Sequence, residues 1–257
     1  MFTKEFITEL SSVMNARKKY NKIYNKLYLS ELQDLYCGPI GIYPKKYPII
    51  IKPIINLYGM SNKFIKINNF EEYIEKEKDY IGMFWQKYLP GDQYNIDINM
   101  KNGKIIQYYT VKSIPDNKGM FKYHYYYSKY RLSKKIIIFL ETILKNYTGF
   151  LNIEVINNYI IEIHLRLNGD LFLYTKKNID RMIERKRTII KNKCFFPIFI
   201  QKELNIDIKD YLDNLNIIYE LDNSICNNYK RYCYFTHTNL IEGINIKQKI
   251  DEYIQKL

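Results

Sequence analysis

The chain has 257 residues, 47% of them hydrophobic, with 40 Lys and Arg against 27 Asp and Glu for a formal net charge of +13. That is enough apolar material for one large domain or two small lobes. No apolar run approaches the length that spans a bilayer, and Met1-Phe2-Thr3-Lys4-Glu5 does not open a signal-peptide core. The cysteines (Cys37, Cys194, Cys226 and Cys233) are scattered without a C-x-x-C pair. Neither a zinc ribbon nor a disulfide framework is therefore suggested, and a reducing, cytoplasmic compartment is expected. The positive charge suits polyphosphate, nucleic acid or an acidic surface. Yet the abundance of Lys, Asn and Ile, with 27 Tyr, is also what AT-rich coding produces, so charge permits a partner without identifying one.

Residues 3–36 read as helical, with Ser11-Ser12 as a cap and Ile23, Leu27, Leu29, Leu32 and Leu35 at mixed three- and four-residue spacing. Cys37-Gly38-Pro39 ends that segment, and a Pro/Gly-punctuated loop follows to Pro48. The β-branched run Ile49-Ile50-Ile51 predicts a buried strand that delivers Lys52 to its end, before a loop holding Asn56, Gly59 and Ser61. Such a small-residue loop lets backbone N–H groups approach a phosphate. A strand at 64–67 and a charged helix over 70–78 come next.

Met83 to Ile98 reads as strand, Pro90-Gly91 turn, strand, and Asn102-Gly103 signals a hairpin into 104–112. Residues 113–130, with the tract Tyr123-His124-Tyr125-Tyr126-Tyr127, read as a mobile basic loop. Ser133 caps a helix to about Tyr147. A short strand at 171–174 and a helix over 179–190 follow the central hairpin described below. Arg181, Arg185 and Lys186 of that helix suit either a solvated face or nucleic acid. Residues 197–257 carry no nameable chemistry, and the last helix is expected to start near Asn245.

The richest stretch lies between. Gly149–Val155 and Ile160–Asp170 alternate apolar and polar residues around Asn157-Asn158, which predicts a β-hairpin. In that register Asn152 and Glu154 share one face, and Glu162, His164 and Arg166 share one face of the next strand. Two carboxylates, an imidazole and a guanidinium on one wall are costly unless a cation or an anionic ligand uses them. A strand whose polar face is simply wet shows the same alternation.

Taken in order, Lys-Pro after a β run, a small-residue loop, Gln-x-x-x-Pro-Gly-x-Gln-Tyr-x-x-Asp, a helix, Gly-Phe-x-Asn-Ile-Glu and Ile-Glu-Ile-His-x-Arg resemble the ATP-grasp superfamily over residues 22–170. The resemblance implies an α+β fold with two α+β lobes whose antiparallel sheets enclose a nucleotide cleft. Its expected division is a helical segment at 1–44, one lobe at 45–82, a second lobe with the metal-binding hairpin at 83–195, and a C-terminal extension at 196–257. It also implies a ligase, using ATP and Mg2+, that joins a carboxylate to an amine or thiol through an acyl-phosphate. By position, Lys52 and the upstream Lys26 resemble phosphate-binding lysines, and Gly59 and Ser61 fall in the loop over the phosphates. Gln86, Lys87, Tyr88 and Leu89 fall where adenine meets the backbone, and Gln93 falls where an acid usually holds the ribose. Glu154, Glu162 and His164 match metal-binding positions, and Arg166 matches the arginine facing the transferred phosphoryl group.

The chain departs from the pattern at several points. His164 stands for the usual Asn, Leu165 for a common Pro, Gln93 for an acid, and one glycine for several after Lys52. The segment before Lys52 is too short for a full substrate-binding domain, which leaves the co-substrate site to residues 171–257 or to a partner chain. The expected partners are a small-molecule or peptide carboxylate and an amine, with homo-oligomerisation open and no membrane. Two other readings stay open: a degenerate nucleotide-binding or interaction module, and a basic nucleic-acid-binding protein.

Overall fold

The structure, a computed structural model, describes residues 9–16, 18–55, 64–116, 120–127, 129–168, 184, 194–204, 206–222, 225–226 and 228–257. The loop residues Gly59 and Ser61 and the basic residues Arg181, Arg185 and Lys186 lie outside that set. In chain order the elements begin with α1 (Glu9–Asn15), a 3-10 turn at Lys18–Tyr24, α2 (Lys26–Glu31), β1 (Cys37–Pro39), β2 (Ile49–Pro53), β3 (Ile65–Ile67), α3 (Phe70–Lys76), β4 (Met83–Lys87), β5 (Gln93–Lys101) and β6 (Lys104–Pro115). They continue with β7 (Phe121–Tyr126), α4 (Lys134–Ile143), β8 (Gly149–Ile156), β9 (Tyr159–His164), β10 (Cys194–Gln201), α5 (Lys209–Asn214), β11 (Tyr219–Leu221), β12 (Ile225–Cys226), β13 (Tyr229–His237) and α6 (Leu240–Ile254). The expected α+β class with antiparallel sheets is what the chain adopts. No helix of the described residues is long and apolar enough to cross a membrane.

The chain forms two compact units, residues 1–110 with 129–169, and residues 111–128 with 170–257. The first holds a small sheet in the order β1-β4-β2-β3 and a larger one in which β5 lies between β6 and β8, with β9 beyond β8. Period-two alternation along β5 and β8, with the register shift that inserts Ile161 into β9, sends Ile96, Ile98, Leu151, Ile153, Val155, Ile160 and Ile163 to one face. There they bury against Ile136, Leu140 and Leu144 and against Tyr20, Ile23, Tyr24 and Leu29. Ser133 caps α4 by accepting from the Ile136 amide at 3.3 Å.

Asn157 and Asn158, at φ 49° and 63°, make the tight turn that Asn-Asn signals. The edge of β9 is closed by one side chain. Gln33 Nε2 donates to Ile160 O at 2.8 Å, and Gln33 Oε1 accepts from Ile160 N at 2.8 Å. The small sheet packs Ile49, Ile51, Ile67, Tyr73 and Trp85 together. The Trp85 indole N–H reaches Ile42 O at 2.6 Å.

The N-terminal segment breaks where a continuous helix was expected. Asn25 is extended and caps α2, its side chain accepting from Tyr28 N, so the chain turns there instead of running on. The expected loop at 113–130 is a second correction. Residues up to Pro115 continue β6, and the aromatic tract is β7, which pairs with both β6 and β10. Aromatic residues alternating on a half-buried sheet satisfy strand geometry better than a loop does. The last helix starts at Leu240 rather than near Asn245, because the Asn239 side chain accepts from the Ile241 and Glu242 amides.

In the second unit β13 pairs with β10, β11 and β12. Phe196 stacks on Phe235 at 4.9 Å with planes 13° apart. Helix α6 lies against that pair through Gly243, where an added Cβ would meet the Phe196 ring at 2.3 Å. Both rings are fully buried, so neither has room to retreat. Gly243→Ala gains about 1 kcal/mol of helix propensity, but overpacking of this kind typically costs about 1–3 kcal/mol. The variant should lower the urea midpoint; an unchanged or raised midpoint would show that the Phe pair yields.

Candidate functional site

The polar face of β5, β8 and β9 carries the chemistry. Register aligns it in two cross-strand rows. Asn95, Glu154 and Glu162 stand opposite one another, as do Asp97, Asn152 and His164. An irregularity in the β8–β9 pairing falls between Glu154 and Val155, just beyond the acidic row. A β-bulge there re-aims side chains next to the site.

Two lysines reach this face from other elements. Lys26 opens α2 and its amide donates to Ile54 O at 2.8 Å, which ties the helix start to the segment leaving β2. Its Nζ lies 2.8 Å from Glu162 Oε2, with both side chains largely shielded. Lys52 ends the Ile49–Ile51 run on β2 and is buried beside Phe84. Burial, reinforced by the neighbouring Lys26 charge, pulls its pKa down to about 7, with Glu162 and Glu154 opposing that shift.

The two carboxylates are driven apart. Burial, together with the facing Glu162 charge, pushes Glu154 above the ordinary carboxylate range. Burial also works on Glu162, but Lys26, His164 and Lys52 outweigh it and hold that carboxyl low. Glu154 Oε2 accepts from Gln93 Nε2 at 2.8 Å. His164 Nε2 lies 3.7 Å from Glu162 Oε1. Among the described residues Glu154, Glu162 and His164 form a group whose ligand atoms lie within 4.8 Å of one another. Two carboxylates and an imidazole are a donor set a divalent cation accepts.

The other expected residues are placed as follows. Gln86 is buried on β4 and accepts from Ser30 Oγ at 3.1 Å. The amides of Lys87 and Tyr88 donate to Tyr36 O and Pro48 O at 2.7 and 3.0 Å, so both are engaged within the protein. Leu89 is buried. Arg166 follows the end of β9 by two residues and donates from Nη1 to Leu167 O at 3.0 Å.

The structure adds a support that was not singled out in the sequence. Buried Asp97 accepts from Asn152 Nδ2 and from the Asn168 amide, each at 2.9 Å, and Asn168 Nδ2 donates to Asn95 Oδ1 at 3.3 Å. This network fastens the segment that carries Arg166 to β5 and β8. Its signal was the period-two series Gln93, Asn95, Asp97, whose polar face is the same as that of Glu154.

Lys52 yields a pH test. The unfolded side chain titrates near 10.4 and the folded one at about 7. Between those values the unfolded chain holds a proton that the folded chain does not, so this group makes stability rise with pH across that window. Lys52→Met should raise stability at pH 7 and flatten that rise, measured by urea unfolding at pH 7, 8 and 9. An unchanged slope would mean that Lys52 stays charged in the folded protein.

No family model and no curated protein matches the chain. Solved structures do. An L-amino acid ligase from Bacillus licheniformis superposes with a TM-score of 0.66 at 11% identity, over 91% of this chain and 72% of that one. An N5-carboxyaminoimidazole synthase from Aspergillus clavatus, in complex with ADP and an aminoimidazole ribonucleotide, superposes with a TM-score of 0.66 at 10% identity, over 93% and 75%. A chain from Archaeoglobus fulgidus assigned to the ATP-grasp superfamily gives 0.50 at 9%, over 83% and 64%. The fold of this protein is the ATP-grasp fold.

Proposed function

We infer that the protein is an ATP-dependent ligase that activates a carboxylate as an acyl-phosphate and passes it to an amine or thiol. The observation that carries this reading is the gathering of Glu154, Glu162 and His164 beside Lys26 and Lys52 in one unit. Two similar folds, named as a ligase and as a synthase complexed with ADP, support it.

The reaction asks for charge neutralisation and alignment more than for a protein nucleophile. A carboxylate oxygen of the substrate attacks the γ-phosphorus, the bond from that phosphorus to the bridging oxygen breaks, and ADP leaves. The amine nitrogen then attacks the acyl carbon, phosphate departs, and the nitrogen gives up its proton. Lys26 and Lys52 would offset the polyphosphate charge. Lys52, at about 7 in the absence of ligand, takes up a proton when phosphate arrives beside it. Arg166 would face the transferred group from the segment that Asp97 fastens. Gln93, which orients Glu154, would also lie near the ribose, with residues 86–89 toward the adenine and Gly59 and Ser61 over the phosphates.

A divalent cation, Mg2+ in the family pattern, fits the donor set. Glu154, Glu162 and His164 would hold it, and bound there it would neutralise phosphate charge. Lys26 already pairs with Glu162 and holds that carboxyl ionised and ready to ligate. The same ion pair, with Gln93 and His164 at positions where the pattern has other residues, favours a second reading: a protein that binds nucleotide without turning it over.

Three measurements test these readings, and the last separates them. Glu162→Gln should abolish cation-dependent ADP release, by at least about 100-fold, while leaving the far-ultraviolet spectrum unchanged; undiminished release would remove Glu162 from the site. Lys52→Ala removes a charged phosphate contact worth about 1.5–3 kcal/mol. It should therefore weaken ATP roughly 10- to 100-fold in calorimetry while adenosine binds as before. Equal losses for both ligands would contradict the assignment. A wild-type protein that binds ATP tightly yet releases no ADP with any acid and amine pair would establish the second reading.

A further inference from the structure

We propose that the cation site prefers a first-row transition dication over Mg2+, with His164 as the side chain that sets the preference. The inference rests on the cation site of the ligase reading above. Mg2+ demands hard oxygen ligands, dehydrates reluctantly and keeps several waters. Imidazole suits transition ions such as Fe2+, Ni2+ and Zn2+, whereas Mg2+ is suited by carboxylate, carbonyl and water; Mn2+, the weakest binder of the first-row series, is the most demanding probe of the preference. The donor group has one nitrogen in three, and it is a shielded one: His164 is 8% exposed. A side chain in that position takes the place of a water that Mg2+ would retain.

Glu162 divides its oxygens in a way that serves this ligand set. Oε2 is held by Lys26 at 2.8 Å, and Oε1 stands 3.7 Å from His164 Nε2. Two ligands at about 2.0–2.2 Å from one ion lie at most roughly 4.4 Å apart. The 3.7 Å gap therefore accepts an ion without breaking the Lys26 pair. Glu154, fixed by Gln93 through Oε2, supplies the third donor. An asparagine or glutamine at position 164 would offer an oxygen in place of the nitrogen and should reduce the preference while keeping the site.

The test uses the full chain without nucleotide. Mn2+ alone is titrated and the free aquo-ion followed by electron paramagnetic resonance, with Mg2+ as competitor. Wild type, His164→Asn, His164→Gln and Glu162→Gln are compared. Mn2+ outcompetes Mg2+ at many carboxylate sites, so the readout is how the ratio of affinities changes between chains. It should fall by about ten-fold or more in both His164 variants, the size of effect that altered metal surroundings produce, with Mg2+ binding little changed. Spin-echo modulation of the wild-type Mn2+ complex should carry an imidazole nitrogen coupling. An unchanged ratio in a folded His164 variant overturns the proposal, as does a wild-type spin echo without nitrogen coupling, which needs no variant. If Glu162→Gln loses both ions while the His164 variants lose neither, the cation site stands and the preference falls. If Glu162→Gln changes neither ion, the cation site falls and takes the ligase reading with it.

Discussion

Two half-buried carboxylates set facing each other are the constraint on which the first unit turns. Glu154 and Glu162 face one another across β8 and β9, and a shielded like-charge pair costs free energy unless something compensates. The compensation is asymmetric. Lys26 takes Glu162 directly, the neutral amide of Gln93 takes Glu154, and Lys52 contributes from a distance at the expense of its own charge. The result is one carboxyl held low, one pushed high and one lysine close to half-protonated at neutral pH. A site built that way gains from any ligand that brings positive charge to the acids or negative charge to the lysines.

This arrangement requires parts of the chain far apart in sequence. Lys26 comes from a helix that a single asparagine begins, Lys52 from the end of a buried strand, and the acids from a hairpin more than a hundred residues on. What holds them together is mainly the apolar side of the same strands. Ile153, Val155 and Ile163 bury on the face opposite the site, so burial of one face determines the position of the other. Because a one-residue slip in register would turn the acids into the core, register here is strongly specified. Gln33, bonded to both backbone groups of Ile160, closes the outer edge of β9 where slippage would otherwise begin.

Behind the acids, Asp97 helps to keep the polar face ordered through its hydrogen bonds. Its Oδ1 accepts both from a side-chain amide and from a backbone amide, as buried polar atoms generally must. The segment carrying Arg166 thus leaves the sheet along a path that β5 holds. The cluster is stiffer than a loop-borne site would be, which suits chemistry that depends on alignment.

Much of this was legible in the amino-acid sequence. Period-two alternation and the Asn-Asn turn determined the hairpin and the shared face of Glu154, Glu162 and His164, because side-chain direction along a strand depends on parity alone. The Lys-Pro ending of the Ile49–Ile51 run likewise identified Lys52 as a strand-borne lysine. Tertiary structure decided what parity cannot express. The aromatic tract at 123–126 became a strand because β6 and β10 supplied partners on both sides, and a strand's partners are invisible locally. The pairing of Lys26 with Glu162, the diversion of Gln93 to Glu154 and the clamp at Asp97 were settled by three-dimensional register and burial. Ionisation was settled there too: Lys52 is an ordinary lysine in sequence, and only its removal from water beside a second ammonium makes it a weak base.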